Sequence, residues 1–106
     1  MTTMSDREAA FENKFAHDAE VQFKVNARRN KLLGLWIANK LGKTGADADA
    51  YAKDVVMSDF EKPGFDDVLH KIRNDVMAAR IAITTEEICT AAEKFLAEAK
   101  ISIMAE

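Results

Sequence analysis

Four glycines and one proline are all that interrupt this chain of 106 residues, and their placement constrains its fold more than any other feature. Gly42 and Gly45 bracket Lys43-Thr44, and Pro63-Gly64 forms a second break. A third break, Ile83-Thr84-Thr85, carries neither residue but is a β-branched run followed by glutamates. The three breaks cut the chain into one long segment and three shorter ones. Apolar residues recur in each at helical spacing, and no alternating pattern of useful length suggests a strand.

The long segment is predicted to be helical from about Asp6 to Leu41. Ser5 supplies an N-cap and Glu8, three residues on, completes a capping box. Phe11, Phe15, Ala19 and Phe23 follow at intervals of four and share one thin stripe. Beyond Arg28 the apolar residues thicken into Leu32, Leu33, Leu35, Trp36, Ile37 and Leu41, so this half is expected to be the most buried helix. The second segment, about Asp47 to Glu61, builds its face from Ala48, Tyr51, Ala52 and Val55. The third, about Phe65 to Arg80, builds it from Val68, Leu69, Ile72 and Val76. The fourth starts at Thr84 with a second capping box to Glu87. Ile88, Ala91, Ala92, Phe95, Leu96, Ala99 and Ile103 give it the cleanest amphipathic stripe in the chain.

Four amphipathic helices joined by short links must bury their stripes against one another, so the expected fold is an all-α four-helix bundle. The first helix is about twice as long as the others. Its amino-terminal part therefore either projects past the bundle or folds back along it. Gly34, in the middle of that helix, costs about 1 kcal/mol relative to alanine. The expected reason is close approach by another helix, with Ala91 and Ala92 of the fourth as the predicted neighbours.

Bulk chemistry excludes several functions. A net charge of −3 argues against a nucleic-acid binder, whose affinity comes largely from phosphate neutralisation. The single cysteine, Cys89, rules out an internal disulfide and a multi-thiolate zinc site, and fits a reducing, cytoplasmic setting. The polar amino terminus is no secretory signal, and the apolar stretch Leu32 to Ala38 is far too short to span a bilayer, so neither export nor insertion is expected.

Catalytic chemistry finds little footing. His17 and Glu20, three apart, share a helix face, but a carboxylate-bridged metal site needs Glu-x-x-His on facing helices, and His70 is preceded at that spacing by Asp67 without a second copy. Gly42-Lys43-Thr44 has the tail of a phosphate-binding loop, yet Ile37 stands where the loop's first glycine belongs and a helix precedes it instead of a strand. It reads as a helix C-terminus, with Gly42 the left-handed C′ residue. A weak anion or nucleotide contact at Lys40, Lys43 and Thr44 stays open. Cys89 is expected as a half-buried core residue, and Trp36 and Tyr51 as core aromatics with a polar tip at the boundary. The basic cluster Arg28-Arg29-Lys31 is expected to be a solvated face or a partner contact.

More specific are the runs Lys14 to Glu20, Phe23-Lys24, Ala27 to Trp36 and Leu41 to Gly45, followed by Ala48 to Ala52, Val55-Val56, Asp67 to Leu69 and Leu96 to Lys100. Together they resemble the zeta subunit family, small regulatory subunits of the F-type ATP synthase in α-proteobacteria. The resemblance covers nearly the whole chain and implies a four-helix bundle that inhibits ATP hydrolysis. It implies an amino-terminal segment, residues 1–19, that inserts at a catalytic α/β interface and meets the rotating γ subunit of the central stalk. Residues 20–106 would form the bundle. Carried onto this sequence, the candidate contacts are Asp6, Arg7, Glu8, Phe11, Lys14, Phe15, His17 and Asp18. Met4 and Phe11 depart from the family pattern, and both add apolar surface to the docking segment. The resemblance further implies a chain that is monomeric when free, cytoplasmic and peripheral to the inner membrane through the synthase. It implies no catalytic residue, metal or required cofactor, with weak ATP or ADP binding open. The alternative reading is a small adenine-nucleotide sensor in which the bundle carries the function.

Overall fold

Four helices form in chain order: α1 (Met4–Lys40), α2 (Gly45–Glu61), α3 (Phe65–Ala78) and α4 (Thr85–Met104). The structure, a computed structural model, describes residues 4–61 and 65–105, with side chains described for 19–59 and 65–105. Among these residues there is no strand, and the all-α four-helix bundle expected from the sequence is the observed architecture.

α1 is the central strut, packing most extensively on α2 and α4, while α3 packs chiefly on α2. The core is built from Leu33, Ile37 and Ala38 of α1, Tyr51 and Val55 of α2, Val68, Ile72 and Val76 of α3, and Ile88 and Ala92 of α4. Trp36 and Phe95 seal the α1–α4 seam edge to face, their ring centroids 6.5 Å apart. On the opposite wall the buried Tyr51 hydroxyl donates to Asp75 Oδ2 at 2.7 Å, which also accepts from Lys71 Nζ at 3.2 Å, tying α2 to α3. Burial, then the hydrogen bond and the negative charge of Asp75, with a smaller effect from Asp54, push the Tyr51 hydroxyl far above its ordinary pKa.

Gly34 is closely approached, but by α2 and not by α4. A Cβ placed there would meet Ala52 Cα at 2.7 Å and Val55 Cβ at 3.2 Å. The expectation that Ala91 and Ala92 face it is therefore corrected. Spacing along one helix shows that a small residue is wanted, whereas the choice of neighbour is made by how the other helices dock.

The helix ends follow local chemistry. At the end of α1, Lys43 N–H donates to the Ala38 carbonyl at 2.9 Å and Gly42 N–H to that of Asn39 at 3.0 Å, with Gly42 at φ 79°. This is the Schellman closure that the glycine predicts. At the end of α3 the same closure recurs, with Ile81 N–H on Val76 and Arg80 N–H on Met77. Here Arg80 occupies the left-handed position at φ 58°, so α3 stops at Ala78, two residues short of expectation. At the start of α4, Thr84 Oγ1 accepts from Glu87 N–H at 3.1 Å, and the Glu87 carboxylate accepts in turn from the Thr84 hydroxyl. α1 begins at Met4, which puts Ser5 inside the first turn and not ahead of it. The side-chain half of the Ser5–Glu8 box lies outside the described residues.

α1 is one continuous helix of 37 residues, about 55 Å long at 1.5 Å per residue. An unbroken helix cannot double back on itself, and the molecule measures 65 × 24 × 22 Å. Its amino-terminal half therefore carries beyond the bundle.

Candidate functional site

Among the described residues, Val25 is the first of α1 to be buried, only 3% exposed. In the turn before it, Ala19, Glu20, Gln22, Phe23 and Lys24 are exposed and Val21 is half-buried. Gln22 donates to Asn26 Oδ1 at 3.0 Å, and Lys24 faces Glu20 at 3.9 Å, both contacts one helical turn apart on an exposed surface. Asp6, Arg7, Glu8, Phe11, Lys14, Phe15, His17 and Asp18 all lie on the α1 backbone amino-terminal to this turn. Their side chains fall outside the described residues.

The basic cluster Arg28-Arg29-Lys31 does not act as one unit, because a helix turns successive residues by about 100°. Arg28 donates from Nη1 to the Ser102 hydroxyl near the end of α4. Arg29 turns to the start of α3, its guanidinium 4.9 Å from the centre of the Phe65 ring and its Nε donating to Asn30 Oδ1 at 3.0 Å. Burial lowers the pKa of Arg29, partly countered by the charge of Asp59. Asn30 is fully buried, and its Nδ2 has no hydrogen-bond partner among the described residues. Lys31 stays exposed.

Arg28 and Lys31 instead join Lys24, at spacings of four and three, along one face of α1. These three cations line a cleft of about 300 Å³ with Ala27, Val56 and Ile103. Sequence reasoning read the contiguous cluster and missed this stripe. The signal was the interval from Lys24 to Arg28 to Lys31, whereas the contributions of Val56 and Ile103 depend on tertiary packing.

Lys40, Lys43 and Thr44 are exposed around the Schellman turn. The Lys40 ammonium sits 5.5 Å from the centre of the Trp36 ring. A larger groove of about 740 Å³ runs between α2 and α3, lined by Asp54, Met57, Asp67, His70, Asn74 and Asp75 among others. Asp75 is engaged by Tyr51 and Lys71. Cys89 is half-buried in α4, as expected. Among the described residues no group of His, Cys, Asp and Glu is arranged to hold a metal ion, and no helix is long and apolar enough to cross a membrane.

The described residues thus define a small all-α bundle whose first helix, 37 residues long, is about twice the length of the others. The family model for ATPase inhibitor subunit zeta matches residues 1–102, and the chain belongs to that family. An inhibitor subunit is regulatory and not catalytic. A protein whose structure was determined by solution NMR is similar over 79% of this chain and 95% of its own, at 44% sequence identity and a TM-score of 0.70. No curated protein matches the chain.

Proposed function

We propose that this chain restrains the F-type ATP synthase by blocking ATP hydrolysis, using residues 1–19 as an inhibitory arm and residues 20–106 as the bundle that holds it. The observation that supports this reading is the length of α1, a 37-residue helix in which Val25 is the first fully buried side chain among the described residues. The part of α1 before Val25 offers about 30 Å of helix, enough to enter a cleft between subunits while the bundle stays outside.

The arm enters a catalytic α/β interface and reaches the γ subunit, where a helix wedged against the central stalk opposes rotation in the hydrolytic direction. Phe11 and Phe15 lie four apart and supply the apolar stripe for helix-in-groove docking. Each aromatic ring contributes roughly 1.5–3 kcal/mol when fully buried. By helical spacing Arg7, Glu8, Lys14 and Asp18 fall on or beside that stripe and fix its orientation through charge, whereas Asp6 and His17 fall on the opposite face and meet whatever lines the other wall of the interface. The protein acts on the cytoplasmic side, peripheral to the inner membrane through its partner.

Addition of the purified chain to the cognate synthase tests the reading. ATP hydrolysis is expected to fall in a saturable manner while ATP synthesis by coupled vesicles continues. Unchanged hydrolysis at saturating protein would refute it.

A further inference from the structure

The cleft at the root of α1 is electrostatically out of keeping with the rest of the molecule. The chain carries a net charge of −3, yet Lys24, Arg28 and Lys31 converge on one cleft, and no carboxylate lines it among the described residues. Its floor is apolar, from Ala27, Val56 and Ile103. Among the described residues little compensates the two lysines. Lys24 meets Glu20 at 3.9 Å with both side chains more than half exposed, and such a pair contributes little. Lys31 makes no ion pair among the described residues.

Exposed apolar surface adjoins the cleft. Ile101 and Met104 are 72% and 76% exposed and belong to the same last turn of α4 as Ser102 and Ile103. On α1, Phe23 precedes Lys24 and is 55% exposed. Cations around an apolar floor complement a helix that alternates carboxylates with apolar side chains. A small anion would satisfy the cations but leave the floor wet. The cleft also lies where α1 leaves the bundle, so any partner that grips the projecting part must come close to it.

We propose that the cleft lined by Lys24, Arg28 and Lys31 is a second docking surface, which receives an acidic amphipathic segment of the inhibited ATPase and seats the bundle against it. This rests on the inhibitor reading for the identity of the partner. The cleft steers association and sets affinity, whereas the arm stops rotation.

The test uses the full chain with Lys24→Glu and Lys31→Glu combined, sparing Arg28 because it bonds Ser102. The doubly substituted chain is expected to keep its melting temperature and its maximal inhibition. Its half-inhibitory concentration should rise by about tenfold or more, the scale on which a charged cleft alters association, and should lose much of its salt dependence. Lys24→Arg with Lys31→Arg should restore the original value. Zero-length carbodiimide coupling of the unsubstituted chain to the ATPase should join Lys24 or Lys31 to an aspartate or glutamate of an ATPase subunit. An unchanged half-inhibitory concentration without such a cross-link overturns the proposal, as does binding to phosphatidylserine vesicles that depends on the two lysines while inhibition does not. If the unsubstituted chain cross-links through these lysines but never inhibits, the docking surface stands and the inhibitor reading falls. If it neither binds nor inhibits, both fall.

Discussion

The two halves of α1 share one helix but answer to different demands. From Val25 to Ala38 the buried side chains are Val25, Asn30, Leu33, Ile37 and Ala38, and Gly34 admits the backbone of α2. From Ala19 to Lys24 no described side chain is buried. In folded proteins most helical stability comes from tertiary packing of an apolar face, and the carboxyl-terminal part of α1 has that packing against α2 and α4. The buried half supplies the stability of the protein. The described turn before it, Ala19 to Lys24, adds no buried side chain to that core, in keeping with the arm proposed for the amino-terminal part.

Substitutions should separate the halves. Ile37→Ala removes a fully buried side chain from the core and is expected to destabilise by about 2–5 kcal/mol in denaturant melts, with inhibition per folded molecule intact. If stability barely moved, the buried half of α1 would not be the structural one. Gly34→Ala sets a gain of about 1 kcal/mol in helix propensity against an approach of 2.7 Å to the Ala52 Cα. Because the clash is with backbone, overpacking should win, with a net loss of about 1–2 kcal/mol. A stabilised Gly34→Ala protein would show that α2 yields easily at this seam.

Tyr51→Phe has the smallest expected effect, about 1 kcal/mol for the lost hydrogen bond to Asp75. It also changes the response to alkali. The folded state holds the Tyr51 proton well above the ordinary value of about 10. The native protein therefore binds more protons than the unfolded one beyond that pH. This stabilisation is complete below about pH 10 and is lost as pH rises further. Tyr51 is the single tyrosine of the chain, so tyrosinate absorbance reports it directly and should appear only together with alkaline unfolding. A separate tyrosinate transition near pH 10 in the folded protein would contradict the buried bond.

What the sequence made legible was mostly local. Gly42 and Thr84 announced their caps because the chemistry of a cap lies within a few residues. Periodicity identified four helices and the apolar faces that became the core. Gly34 marked a close approach but not its partner, since Ala52 and Ala92 are equally small and only tertiary packing chooses between them. Arg80 gave no warning of its left-handed backbone. Its role was set by the bonds of Ile81 and Met77 around it, not by any preference of arginine. The basic run 28–31 misled in the opposite direction, because neighbours in sequence diverge on a helix while Lys24, Arg28 and Lys31 converge. Residues 6–18 gained their proposed roles from family resemblance, and their helical backbone alone follows from their own spacing.

The division of labour along α1 is tested most directly by deleting Thr2 to Lys14 and measuring ATP hydrolysis by the cognate synthase beside thermal unfolding of the truncated protein. The melt should stay close to that of the full chain, because surface changes away from the core usually fall within about 0.5 kcal/mol, while inhibition disappears. A truncated protein that inhibits as well as the full chain would contradict the account and move the inhibitory function from the arm to the bundle.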